Sequence, residues 1–192
     1  MAQAAAAKII LVGSGRMGRI RARAIFANPR LQLEGIVDPN IEQAKPLSEL
    51  YRTHHFETLL EAISSSSSLD GIVISTPTPS HESLITEAAT NNISSIFVEK
   101  PVDETADEVG SLFQLCNDHK VNLCCGYQRR FDSSYQSLYH QVNSGAIGTP
   151  LTANIFFGDH PVPSREFLLQ GGGNIITDCS GRYISLCILR LS

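Results

Sequence analysis

The sequence has no apolar run of about 20 residues, so no transmembrane helix and no membrane partner are expected. It has no excess of basic residues either. The formal net charge is -4, which leaves no electrostatic footprint for nucleic acid. No CxxC pair occurs, and the five cysteines (116, 124, 125, 179 and 187) are odd in number. Reduced thiols in an intracellular, cytoplasmic protein fit that pattern better than a disulfide framework, and no metal site is expected. Cys124 and Cys125 fall in an apolar stretch and are expected in the core. The start, MAQAAAAK, lacks the basic region and apolar centre of a signal peptide and reads as a frayed leader. What remains is an ordinary globular composition over 192 residues, room for one full domain plus part of another.

The most informative stretch is Lys8 to Gly18, KIILVGSGRMG. It predicts a short buried strand, a glycine turn and the first turn of a helix. Gly13, Gly15 and Gly18 fall at G-x-G-x-x-G spacing. In a dinucleotide-binding βαβ unit the first glycine makes the turn, the second lets the backbone approach a pyrophosphate, and the third lets helix and strand pack closely. The helix start offers N–H groups and a positive dipole end to phosphate, with Arg16 and Met17 beside it. Asp38 closes a second apolar strand, 31–37, twenty residues past Gly18. A carboxylate there accepts hydrogen bonds from adenosine ribose hydroxyls and repels a 2′-phosphate. Pro39 stands where a phosphate-reading arginine could otherwise sit. The expected cofactor is therefore NAD rather than NADP.

Strand and helix patterns then alternate. A helix over 16–27 carries Met17, Ile20, Ala24 and Ile25 as its expected inward stripe, with Arg16, Arg19 and Arg23 opposite. Helix 41–51, strand 54–56, helix 57–63 and a five-serine connection follow. Strand 71–75 ends in Thr76-Pro77-Thr78-Pro79-Ser80-His81, a loop expected to face the cofactor, with Ser80 as N-cap of the next helix. Strand 95–99 runs into Glu99-Lys100-Pro101, which places a lysine in the crevice. A capping box, Thr105 with Glu108, opens a helix with Val109, Leu112, Phe113 and Cys116 inward. Strand 121–125 is the sixth. The fold class predicted is α/β, a Rossmann-type doubly wound parallel sheet over 1–126. Beyond Gly126 the pattern changes: a helix with Tyr135, Leu138, Tyr139 and Val142 on one face, stopped at Ser144-Gly145, then a strand over 151–157. Residues 127–192 are expected to be the incomplete start of an α/β substrate domain.

Taken together, the residues resemble the Gfo/Idh/MocA oxidoreductases, closest to the inositol 2-dehydrogenase-like members. The resemblance is carried by GSGRMG, Asp38, STPTPSH at 75–81, EKP at 99–101, GYQRRFD at 126–132, IGTP at 147–150 and GGG followed by Asp178. It covers roughly residues 8–178. It implies an enzyme that oxidises a secondary alcohol of a polyol or sugar, passing hydride to nicotinamide and the hydroxyl proton to a protein base. It implies Lys100 and Asp178 as the catalytic pair, and Arg129 and His160 at substrate hydroxyls. Thr76, Pro77, Thr78, His81, Glu99 and Gln128 would lie along the cofactor, and a cis proline is implied at Pro101. The resemblance implies that full-length relatives are homo-oligomers, and leaves the state of this chain open.

The chain departs from the family after Asp178. The family places a catalytic histidine four residues on, where this chain has Arg182. Arginine keeps its proton, and losing a general base typically costs about 10² to 10⁴ in rate. The tail GRYISLCILRLS matches nothing in the family, and the chain is expected to be C-terminally truncated. Two readings therefore stand beside each other: an NAD-dependent polyol or sugar dehydrogenase, and a non-catalytic NAD-binding or regulatory module, or inactive truncated isoform, of the same ancestry.

Overall fold

The computed structural model describes residues 5–152 and residue 154. Six strands, β1 (Ala7–Val12), β2 (Leu31–Val37), β3 (His54–Phe56), β4 (Gly71–Ile74), β5 (Ser95–Val98) and β6 (Asn122–Cys125), form one sheet. Between them lie α1 (Arg16–Ala27), α2 (Ile41–Tyr51), α3 (Leu59–Ser65), α4 (His81–Thr90) and α5 (Ala106–Asp118). Every pairing is parallel, in the order β3-β2-β1-β4-β5-β6. Winding reverses between β1 and β4, which opens a crevice at their carboxyl ends. By its contacts the chain divides into residues 1–126 and 127–192. The described part of the second unit holds a 3-10 turn, Gln128–Phe131, and α6 (Ser133–Asn143).

The central strand is buried on both faces, which is why it reads as an unbroken apolar run. Ile10 and Leu11 are wholly buried. Alternate residues feed separate cores. Ile10, Val12, Ile72, Ile74, Ile96 and Val98 pack with Leu59, Ile85 and Leu112 of α3, α4 and α5. Leu11 and Ile36 pack with Ala22 of α1 and Ala44 and Leu47 of α2.

Several sequence expectations change. The buried positions of α1 are Gly18, Ala22 and Ile25, while Ile20 and Ala24 are exposed. Gly18 lies directly against the Gly13 carbonyl, where a Cβ would overlap the oxygen, so the face bearing Gly18, Ala22 and Ile25 is the one turned to the sheet. Helix α3 starts at Leu59 because the Thr58 side chain caps it, accepting from the Glu61 N–H. Ser80 stands at the N-cap of α4 as expected, but its side chain makes no capping hydrogen bond; its hydroxyl donates to the Pro77 carbonyl at 2.8 Å and lies 2.7 Å from Thr76 Oγ1. Phe113 is exposed, leaving Leu112 and Cys116 as the buried positions of α5. Burial pushes the Cys116 thiol up from its ordinary range. Cys124 is exposed, not core. It shares a sheet face with Leu11, through the pairings Leu11–Val73–Phe97–Cys124, and that face's core residues come from β1, β2, α1 and α2, short of the edge strand β6. Leu151 and Thr152 carry no regular structure, and the rest of the expected strand 151–157, apart from Asn154, lies outside the described residues.

Candidate nucleotide crevice and its residues

Each strand end is tied to its neighbour by the residue that follows the strand. Asp38 donates its N–H to Phe56 O, Gly13 to Val37 O, Ser75 to Val12 O, Glu99 to Ile74 O and Gly126 to Val98 O, all at 2.8–3.0 Å. The motif residues are thus set in one row across the carboxyl edge of the sheet. Adjacent strands lie about 4.8 Å apart, so Asp38 and Glu99, three strands away, stand roughly 14 Å apart along it.

At the middle of the row, Gly13 has φ +95, a backbone that side chains rarely adopt, and a Cβ there would lie 2.8 Å from the Ser75 carbonyl oxygen. A Cβ on Gly18 would overlap the Gly13 carbonyl oxygen, whereas one on Gly15 meets nothing within 4 Å. The turn is therefore closed towards the sheet and open above Gly15. Gly15 is the N-cap of α1 and no side chain caps that helix. Its first N–H groups lack the partners that Asn40, Thr58, Thr105 and Asp132 provide for α2, α3, α5 and α6. Arg16 is exposed and Met17 half-buried at the same end. These features fit a dinucleotide pyrophosphate: open space, free donors and a positive dipole end.

Asp38 is held by this same turn. Its Oδ2 accepts from the Ser14 N–H at 2.8 Å and the Ser14 hydroxyl at 2.6 Å, and its Oδ1 from the Asn40 N–H at 2.9 Å. Ser14 was not singled out from the sequence, although its place between the first two glycines was the available signal.

Beyond β4, Thr76 and Thr78 are half-buried and Pro77 is exposed. His81 is turned inward, with 1% of its surface exposed. Its Nδ1 lies 2.9 Å from Pro101 O and 3.2 Å from Val102 O, and its Nε2 3.0 Å from Thr76 O. The ring joins the loop after β4 to the loop after β5, so whatever it offers a cofactor is indirect. Lys100 is half-buried, and the Lys100–Pro101 peptide is cis.

Glu99 points to the α1 face. Arg21 Nε donates to Glu99 Oε1 at 2.6 Å, and Nη2 lies 2.5 Å from the same oxygen without the alignment of a second hydrogen bond. The guanidinium also sits 4.8 Å from the Phe97 ring centre. Opposite charge and a ring face hold this buried pair together. Arg21 too was missed from the sequence, since its partner lies 78 residues away.

Gln128 and Arg129 belong to the second unit, where Gln128 is exposed and the Arg129 guanidinium lies 5.9 Å from the Tyr135 ring centre. His160, Asp178 and Arg182 lie outside the described residues. Among the described residues no cluster of His, Cys, Asp and Glu could hold a metal ion, and no helix is long and apolar enough to cross a membrane.

Known proteins resemble this chain in sequence and fold. The chain is 29% identical over 163 residues to an inositol 2-dehydrogenase of Rhizobium meliloti, covering 85% of this chain and 48% of the relative. It is 30% identical over 176 residues to a scyllo-inositol 2-dehydrogenase (NAD(+)) of Bacillus subtilis, covering 88% and 49%. The crystal structure of a myo-inositol dehydrogenase from Corynebacterium glutamicum superposes with a TM-score of 0.78 at 29% identity, covering 95% of this chain and 54% of that one. The chain spans about half the length of the curated relatives it matches. The glycine turn, the acid after β2 and the six-stranded parallel order all lie within residues 7–127, which match the model of the Gfo/Idh/MocA oxidoreductase family with its NAD-binding Rossmann fold, and the chain belongs to that family.

Proposed function

We propose that this chain binds NAD along the carboxyl edge of its sheet and carries the nucleotide half of a dehydrogenase that oxidises a secondary alcohol of an inositol-like polyol or a sugar. The observation that carries the reading is the single row of backbone hydrogen bonds that sets Asp38, Gly13, Ser75 and Glu99 side by side. In this reading Asp38 receives an adenosine ribose hydroxyl, and Gly13 to Gly18 with the uncapped start of α1 receive the pyrophosphate. Thr76, Pro77 and Thr78 line the middle. NAD is favoured over NADP because Asp38 presents a carboxylate and Pro39 follows it.

When bound, NAD supplies the nicotinamide ring that takes up hydride. The protein's own part falls to Lys100, at the β5 end of the row, which orients the reacting hydroxyl and shares its proton. Asp178 is proposed as its partner, with Arg129 and His160 holding other substrate hydroxyls. Residues 127–192 are proposed as the start of a substrate domain. A substrate of the polyol class is supported by the names of the relatives. One observation favours the second reading, NAD binding without turnover: Arg182 stands where the resemblance puts a histidine, and arginine does not accept a proton.

Calorimetric titration of the purified chain with NAD tests the first part. The expected result is micromolar binding that Asp38→Ala weakens by tenfold or more; no binding by the wild type would sink the proposal. A screen of polyols for NADH production tests the second. Lys100→Met is expected to lower any turnover by about 10² to 10⁴ while leaving NAD affinity within about threefold. Turnover that survives the substitution would remove Lys100 from the chemistry. NAD binding with no turnover on any polyol would select the second reading.

A further inference from the structure

We infer that Ser14 sets the preference for NAD over NADP, acting through Asp38; this rests on the reading of Asp38 as the acid that faces the adenosine ribose. Ser14 is wholly buried, so it touches no ligand itself. Both of its donors are spent on one carboxylate oxygen, the N–H at 2.8 Å and the hydroxyl at 2.6 Å. The other oxygen is engaged by the Asn40 N–H at 2.9 Å. The backbone of Asp38 is pinned as well, its N–H on Phe56 O at 3.0 Å and its carbonyl oxygen 3.1 Å from His55 Nε2.

A carboxylate offers about four lone-pair directions. With three taken here, the open one is on Oδ1, enough for a ribose hydroxyl. A 2′-phosphate would bring about two negative charges to the same place. A site can accommodate that only if the carboxylate swings away. Swinging Asp38 out breaks the short, charge-assisted bond to the Ser14 hydroxyl along with the two backbone bonds. The rejection of NADP is then a property of the lock and not of Asp38 alone. A side chain free to rotate would discriminate less, although it carries the same charge. Ser14 is in this sense a positioning residue, and its effect should appear in the ratio of two affinities.

The test is calorimetric titration of the full chain with NAD and with NADP, for wild type, Ser14→Ala, Asp38→Ala and the double variant. The expected result is that Ser14→Ala lowers the NAD:NADP affinity ratio about tenfold, one charge-assisted hydrogen bond's worth, chiefly by tightening NADP. In the double variant the ratio should equal that of Asp38→Ala, because Ser14 has nothing left to act on. Thermal melts report whether each variant folds. Ser14→Cys, nearly isosteric with a much weaker donor, should shift the ratio the same way and replaces the alanine variant if that one does not fold. A Ser14 variant that weakens both dinucleotides equally, leaving the ratio unmoved, overturns the inference and leaves the NAD reading standing: Ser14 would then only brace the turn. A further drop of the ratio in the double variant also overturns it. A wild type that binds neither dinucleotide, or both alike, overturns the NAD reading and this inference with it.

Discussion

Gly15 and Gly18 belong to one turn, yet a methyl group would meet opposite surroundings at the two positions. At Gly18 it would run into the Gly13 carbonyl oxygen, and at Gly15 into open space. Gly15 has φ -65, which any residue adopts. Gly18→Ala is therefore expected to destabilise the fold by about 1–3 kcal/mol through overpacking. Gly15→Ala should leave stability within about 0.5 kcal/mol and weaken NAD tenfold or more, because only a ligand would meet the added methyl. Urea melts and NAD titrations of both variants check this; a stable Gly18→Ala, or a Gly15→Ala that binds as wild type, contradicts the placement. The glycine spacing was legible in the sequence because it is local. What His81 does was not. The sequence places it in a loop beside the cofactor, whereas its ring nitrogens face carbonyl oxygens of Thr76, Pro101 and Val102. Two of those acceptors come from 20 and 21 residues further along the chain, and no local pattern announces them.

Helix α1 does two jobs at its two faces. Its start is open to the crevice, and its second turn reaches across to β5 through Arg21 and Glu99, whose side chains are 18% and 7% exposed. Removing one member leaves the other buried and unpaired, which costs about 3–5 kcal/mol in comparable buried pairs. Arg21→Met is expected to destabilise the fold by that order, and Arg21→Met with Glu99→Met to recover most of it. Urea unfolding of the three chains decides it; a single variant as stable as wild type would mean that water reaches Glu99. Element boundaries were readable where a side chain and its partner lie within one turn. Thr105 and Glu108 form the capping box that their spacing announces. The inward faces of α1 and α5 were less readable. Ile20 and Phe113 fit a helical apolar stripe, but the residues buried are Gly18, Ala22 and Ile25 on α1, and Leu112 and Cys116 on α5, with Val109 packed beside them. Periodicity shows that a helix has an apolar side, and the packing partner chooses which residues it buries.

Among the described residues, the core of the nucleotide unit is built from that unit alone, and both apolar clusters draw their members from residues 10–125. Among the described residues, all six strands of the sheet lie before residue 126. Residues 1–126 alone are therefore expected to melt in one cooperative transition and to bind NAD within about threefold of the full chain. Differential scanning calorimetry and titration of that fragment test the expectation; a broad, non-cooperative melt would show that residues beyond 126 complete the core.

By itself the sequence determined the order of strands and helices, the doubly wound class and the position of the glycine turn. These follow from apolar periodicity and from glycine's steric freedom, which act over a few residues. Only the tertiary structure decided that Asp38 is locked by Ser14, that Glu99 is answered by Arg21, and that His81 joins two loops. Each of these bonds spans 5 to 78 residues of chain. Such partners are selected by the parallel register, which lines up strand ends from distant parts of the sequence, and register is a property of the assembled sheet.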